Sequence, residues 1–121
     1  MLFRSVKLAD LSRIPLVMPQ RGHIFRRLME TQAALAGVKL NVAWEVSSVP
    51  AILDLVLAGH GHAALTESAI HGHAQRKQLT VTPIHDPEIK SMLCLSRSAQ
   101  KRRTPLIEHT ARSLVQLCKV L

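Results

Sequence analysis

The sequence predicts an α/β fold in which a mixed, mainly parallel sheet is flanked by helices. Short apolar runs that suggest buried strands alternate along the chain with segments whose apolar residues recur at helical spacing. Strands alternating with helices are typical of parallel β-α-β units. The apolar runs do not alternate cleanly with polar residues, which indicates a sheet covered on both faces.

The first half of the chain contains two strand-helix units. Residues 14–19 form an apolar run closed by a proline and predict a strand. Residues 22–37 predict a helix that a glycine ends. Residues 39–46 predict a second strand, and residues 50–59 predict a second helix with proline in its first turn and glycine as its stop.

The second half predicts three more strands and two more helices. The strands are 62–66, 79–84 and 91–96, and the helices are 67–77 and 104–120. Thr104 is the expected cap of the closing helix and Pro105 its first residue. The apolar residues of that helix are expected to face a core, namely Leu106, Ile107, Ala111, Leu114, Val115 and Cys118.

Composition predicts a folded cytoplasmic protein. The chain has 121 residues, of which 47% are hydrophobic, enough for one domain with a core. Charges at Arg4, Lys7 and Asp10 interrupt any secretion signal, and no run reaches the roughly 18 apolar residues of a membrane helix. Cys94 and Cys118 form no C-x-x-C motif, so reduced thiols are expected.

A formal net charge of +8 favours an anionic ligand, an acidic partner or nucleic acid. The densest basic run is Lys101-Arg102-Arg103, preceded by Arg97. No aromatic residues are interleaved for stacking on bases. The run therefore indicates a solvated surface more than a nucleic-acid contact.

Two loops are candidates for a ligand site because each follows a predicted parallel strand. In such sheets ligands sit beyond the carboxyl ends of the strands, at helix N-termini. Gln20 and Arg21 follow the first strand and can grip a carboxylate at two points. Ser47 and Ser48 follow the second, where backbone N–H groups and the helix dipole favour an anion. Ser48 as a simple helix cap and Arg21 as a surface arginine remain open alternatives.

Four of the seven histidines form two triplets, His60-Gly61-His62 and His71-Gly72-His73. They resemble metal ligands, but glycine at helix-to-strand turns explains the pattern more simply, and no metal site is expected. If the protein were an enzyme, the candidate catalytic residues would be His23, His60, His62, Glu67 and His71. No catalytic spacing or glycine-rich phosphate loop supports this, so we expect no enzyme and no cofactor.

Three segments carry a family resemblance. They are "LADLSRIPLVMP", "VLAGHGHAAL" and the closing strand with its Thr-Pro helix. In order and spacing, residues 7–117 are similar to the effector-binding region of LysR-type transcriptional regulators. Within that family the chain most resembles the nitrogen-assimilation-control branch.

The resemblance implies a type 2 periplasmic-binding-protein fold, in which two lobes close on a small effector, often an organic anion. The family's contacts in this lobe fall on the two loops already named, and Thr66 stands where the family usually has a proline. The expected effector-binding residues are Pro19, Gln20, Arg21, Ser47, Ser48 and Thr66.

The resemblance also implies a division of the chain. Residues 1–13 would lead into effector-binding subdomain II, residues 14–85, while residues 86–121 would supply the crossover strand and C-terminal helix of an incomplete subdomain I. The expected function is regulatory effector sensing, and this chain alone is expected to bind effector weakly or not at all. DNA would be bound only through a helix-turn-helix domain absent from the chain. Unpartnered apolar surface predicts self-association to a dimer or tetramer. The alternatives are a solute-binding-type domain without a DNA-binding role and a histidine-rich metal-dependent enzyme.

Overall fold

Parallel pairing organises the strands. The computed structural model describes residues 5–119. In one sheet β1 (Val6–Lys7) pairs in parallel with β4 (Ile84–His85). In the other sheet β2 (Leu16–Pro19) pairs in parallel with β3 (Val42–Val46). The first four residues of the expected lead-in and residue 120 of the expected closing helix lie outside the described residues.

Helices follow most of the strands, and their ends agree with local sequence signals. Within residues 5–119 the α-helices are α1 (Ile24–Leu35), α2 (Val49–Leu57), α3 (Glu67–His71) and α4 (Pro105–Cys118), and short 3₁₀-helices cover Leu8–Arg13 and Arg76–Gln78. Gly37 and Gly59 follow α1 and α2 at φ +68° and +85°. These left-handed values favour glycine, which confirms both expected helix stops.

The core is built around β2. All four residues of this strand are buried, and Leu16 and Met18 have no exposed surface. They pack in one cluster with Leu8 and Leu11 from the first 3₁₀-helix and with Met29 from α1. The segment before β2 therefore contributes two leucines to the same core as the strand.

Helix α1 leaves two of its apolar residues exposed and buries an arginine instead. Ile24 and Leu35 are 81% and 79% exposed. The buried residues of the helix are Arg26, Met29 and Ala33, which recur at three- and four-residue spacing. An arginine on the core face means that a charged group is packed inside the fold.

The expected strands of the second half are largely wrong. Residues 62–66 make only an isolated parallel bridge, between His62 and Leu16. Of residues 79–84 only the last is in a strand, and residues 91–96 have no regular structure. A strand is defined by hydrogen bonds to a neighbour, so an apolar run without a paired neighbour does not become one.

The chain divides into two compact units between Ser91 and Met92. The first contains both sheets and all of the buried residues among those described. The second contains α4, whose first residue is Pro105 as expected. No residue from 92 to 119 is buried, so the expectation that the apolar residues of α4 face a core is wrong for these residues.

Candidate ligand-binding site

The two candidate loops begin at the same edge of the β2–β3 sheet. The parallel register pairs Pro19, the last residue of β2, with Val46, the last residue of β3. Gln20 and Ser47 are the next residues of the two strands. Because parallel strands present their carboxyl ends at one edge, the register brings the two loops together.

A tight turn follows β2. The His23 N–H donates a hydrogen bond to the carbonyl oxygen of Gln20 over 3.1 Å. Gly22 is the third residue of this turn and has a φ of +93°, as a type II turn requires. The His23 ring then caps α1, with Nδ1 accepting from the Phe25 N–H at 3.2 Å. Arg21 is consequently exposed on the turn, immediately before the N-terminus of α1.

The second loop passes directly into α2. The Oγ of Ser48 accepts a hydrogen bond from the Ala51 N–H at 3.4 Å, so Ser48 is the cap of this helix. Pro50 lies in the first turn, where its missing N–H leaves no partner unsatisfied. Ser47 is exposed beside the cap. The capping role that the sequence suggested for Ser48 is present, and Ser47 is the freer hydroxyl of the pair.

The remaining two expected site residues occupy different positions. Pro19 is buried within β2. Thr66 is half-buried at the start of α3, with its Oγ1 3.2 Å from the Ser68 Oγ. The bridge between His62 and Leu16 places the segment before Thr66 beside β2. The structure thus brings the loops of Gln20 and Ser47 to one edge of the sheet. Pro19 lies in the last paired position of β2, directly before that edge.

A buried arginine, which the sequence did not single out, connects the elements behind this edge. Arg26 is 3% exposed. Its Nη1 donates to the Pro19 carbonyl oxygen at 3.1 Å and to the Glu45 Oε1 at 2.8 Å. Its Nε donates to the Glu30 Oε1 at 2.8 Å. One guanidinium therefore ties α1 to the last residue of β2 and to β3.

The charge of Arg26 is secured by its partners. Burial alone would lower the pKa of this guanidinium, but its hydrogen bonds to the carboxylates of Glu45 and Glu30, and their negative charge, outweigh that effect and raise the pKa above the ordinary value. The local signal for such a role is the Arg-Glu spacing of four residues on a helix together with the helical phase of Met29. A charge that stays fixed is suited to holding strand ends in place.

Comparison with known proteins assigns the chain to a family. The family model described as "LysR substrate binding domain" matches residues 3–119. The chain belongs to this LysR substrate-binding domain family. The α/β fold of the type 2 periplasmic-binding-protein class, expected from the sequence, is thereby confirmed.

Two curated relatives are transcription regulators. The "HTH-type transcriptional regulator BbuR" of Bordetella bronchiseptica is 26% identical over 94 residues, which are 78% of this chain and 29% of that protein. The "Probable nitrogen assimilation transcriptional activator" of Synechococcus elongatus is 23% identical over 116 residues, which are 96% of this chain and 36% of that protein. The chain thus spans about a third of the length of these relatives.

The first histidine triplet of this LysR substrate-binding domain has a structural explanation. A Cβ on Gly61 would lie 2.9 Å from the Pro15 carbonyl oxygen, closer than side chains tolerate. The close approach allows the His62 N–H to donate to that same oxygen at 2.9 Å. His60 packs edge-on against Trp44, with 5.7 Å between ring centroids. Glycine is therefore needed at position 61, so that this segment can approach the backbone of Pro15, just before β2.

The second triplet has a different setting. His71 Nε2 lies 3.6 Å from the Glu67 Oε1, and His73 Nε2 lies 3.6 Å from the Asp54 Oδ1. A Cβ on Gly72 would meet nothing within 4 Å. Among residues 5–119, no group of three or more His, Cys, Asp and Glu side chains is arranged to hold a metal ion. No helix in this part of the chain is long and apolar enough to cross a membrane.

Proposed function

We propose that this LysR substrate-binding domain senses a small organic anion for a transcription regulator and performs no chemistry. The observation that carries the proposal is the parallel pairing of Pro19 with Val46, which starts both candidate loops at one edge. Arg21 offers a guanidinium fork that matches a carboxylate, and Ser47 offers a hydroxyl. The N-termini of α1 and α2 add positive potential at that edge.

The proposed division of labour follows the family. Residues 14–85 form the effector-binding subdomain, and residues 86–121 belong to the other lobe. Effector binding shifts the balance between lobe orientations and so changes how an oligomer holds DNA. Sequence-specific DNA contact belongs to a helix-turn-helix domain outside this chain, and the protein acts in the cytoplasm.

The binding proposal is tested by a titration that detects weak affinity. Labelled protein is titrated with acetate, succinate and citrate to millimolar concentration while backbone amide NMR signals are followed. We expect saturable shifts concentrated at residues 20–23 and 47–51. Arg21→Gln should weaken the affinity by roughly tenfold, since a charge-assisted bidentate contact is lost. Arg27→Gln removes the same charge from an exposed position on α1 and should change little.

Two results would reject this site. One is a set of shifts scattered over the surface in proportion to ionic strength. The other is equal weakening by the two arginine variants, which would mean that Arg21 acts only through net charge. Loss of folding is excluded by comparing the amide spectra of both variants with that of the unchanged protein.

We also propose that the chain self-associates to a dimer or tetramer. Support comes from large apolar side chains on the second unit, where Met92 is 86%, Leu93 75% and Leu106 74% exposed. Size-exclusion chromatography with light scattering should give a mass above the 13.4 kDa of one chain. A monodisperse monomer at high concentration would contradict this proposal.

A further inference from the structure

Four cationic side chains line one concavity beside the start of α4. The cavity measures about 610 Å³. Arg97, Lys101, Arg102 and Arg103 all line it, with Ile107 from the first turn of the helix. We call this surface the basic groove. In the sequence these charges are spread over residues 97–103, whereas in the structure their side chains line the same cavity.

A single carboxylate organises part of the basic groove. The Arg97 Nη1 donates to the Glu108 Oε1 at 2.7 Å, and the Arg103 Nε lies 3.8 Å from the same oxygen. Four cations against one anion leave an excess of positive charge. Glu108 thus restrains two guanidinium groups without neutralising the surface, which lowers the ordering cost of binding an anion.

The exposure of these cations favours a polyanion over a small anion. The Arg103 side chain is 78% exposed and that of Arg97 is 40% exposed. Solvent-exposed cations bind a single anion weakly because water screens the pair. A chain of phosphates gains affinity from each neutralised charge, because condensed counterions are released. Arginine forks also match phosphate oxygens in geometry.

The composition of the second unit favours duplex over single-stranded nucleic acid. Residues 92–119 contain no Phe, Trp or Tyr on which an unpaired base could stack. This surface therefore offers cations for phosphates but no ring for base stacking, and a duplex carries the denser row of phosphates. The formal net charge of +8 attracts the same partner at long range.

We propose that the basic groove binds the phosphate backbone of double-stranded DNA without reading its sequence. This goes beyond the proposed function, in which effector sensing involves the loops of the first unit and specific DNA recognition lies outside the chain. Backbone contacts fix position and orientation but carry no base information. In a regulator held on DNA, such a contact would favour arrangements in which this surface lies against the duplex.

Fluorescence anisotropy of a labelled random-sequence duplex of about 20 base pairs tests the proposal with the full chain. Four phosphate contacts give a slope of log affinity against log salt near −3.6, or roughly a 100-fold loss between about 50 mM and about 200 mM NaCl. The combined variant Lys101→Gln, Arg102→Gln and Arg103→Gln retains one groove cation. Its loss over the same range should be only about threefold to fourfold.

A charge-matched control separates the groove from general charge. The combined variant Lys39→Gln, Lys77→Gln and Lys90→Gln removes three exposed cations from the first unit and should keep the original salt slope. Equal loss in both triple variants would overturn the proposal. Arg21→Gln should leave DNA binding unchanged, so failure of the effector site and failure of the groove can be told apart.

Two other polyanions, single-stranded DNA and polyglutamate, are compared with the duplex in the same assay. Single-stranded DNA of the same length should bind more weakly and with a shallower salt slope. A polyglutamate of about 20 residues should compete poorly. Tighter binding of polyglutamate than of duplex would make an acidic protein the partner and reject DNA. Equal affinity of the single strand would show that duplex geometry is not recognised, and would also reject the proposal.

Discussion

Strand β2 ends at a proline and helix α4 begins at one, and both carry large apolar side chains, yet only those of β2 are buried. In β2, Leu16 and Met18 have no exposed surface. In α4, Leu106 is 74% and Leu117 64% exposed. Local signals for α4 are as good as those for β2, since Thr104 caps it through a 3.3 Å hydrogen bond. The difference lies in what surrounds each segment.

The surroundings of β2 come from several parts of the first unit. The first 3₁₀-helix, α1 and residue Ala64 all bury apolar side chains in the same cluster as β2. No residue from 92 to 119 reaches the same degree of burial. Local signals therefore set the ends of α4, while burial depends on partners that only the tertiary fold supplies.

The packing around β2 should make the largest contribution to stability. Leu16→Ala should lower the free energy of unfolding by about 2–5 kcal/mol, because a fully buried side chain leaves a cavity. Leu117→Ala, which truncates an exposed side chain, should change it by less than about 0.5 kcal/mol. Urea denaturation at the lowest workable protein concentration measures both, since association would add to the apparent stability.

If Leu16→Ala does not fold, a less disruptive substitution at the same position can be measured instead. Leu16→Val should cost about 1 kcal/mol, in line with the removal of one methylene group. Similar losses from the substitutions at Leu16 and Leu117 would show that α4 shares a core with the first unit under solution conditions.

The second expected effect compares two arginines that each bind a glutamate. Arg26 is buried and has three hydrogen bonds, so Arg26→Ala should cost about 2–3 kcal/mol. The value stays below that of a fully buried pair because Glu30 and Glu45 are about half exposed and regain water. Arg97→Ala breaks an exposed pair and should cost less than about 1 kcal/mol.

The stabilising contribution of Arg26 should not depend on pH near neutrality. The pKa of Arg26 is raised in the folded protein, so its contribution is complete below the unfolded value and is lost only as pH rises through the folded one. Both values lie far above neutrality. The difference in unfolding free energy between the unchanged protein and Arg26→Ala should therefore stay constant from about pH 6 to about pH 9. A steep change within that interval would mean that Arg26 is not the group that maintains the network.

Features set by neighbouring residues could be predicted from the sequence. The stops at Gly37 and Gly59, the cap at Thr104 and the strand ending at Pro19 all depend on a few adjacent residues. The positions of the two candidate loops followed from the same signals, because a loop after a parallel strand has a known edge to occupy.

Features set by distant partners could not be predicted. Residues 91–96 have the composition of a strand but no paired neighbour in the structure. Arg26 is placed on the core face because Glu45, 19 residues away, accepts from its guanidinium. Within the helix only the helical phase of Met29 and the position of Glu30 four residues later distinguish Arg26 from the exposed Arg27. Long-range partners decide these cases, and a single sequence records them only weakly.

Two helix caps of the same geometry should differ in how much they contribute to the free energy of unfolding, and this difference is the smallest predicted. Ser48→Ala and Thr104→Ala each remove a hydroxyl that accepts one backbone N–H, at 3.4 Å and 3.3 Å. Ser48→Ala should lower the unfolding free energy of the first unit by about 1 kcal/mol, since α2 buries Ile52 and Leu53 in it. Thr104→Ala should speed amide exchange in the first turns of α4 and leave the main urea transition unchanged. Ser48→Asn, which keeps a capping oxygen, should restore most of the loss. If Thr104→Ala moves the main transition as far as Ser48→Ala does, the two helices belong to one cooperative unit, and α4 is packed in solution as β2 is.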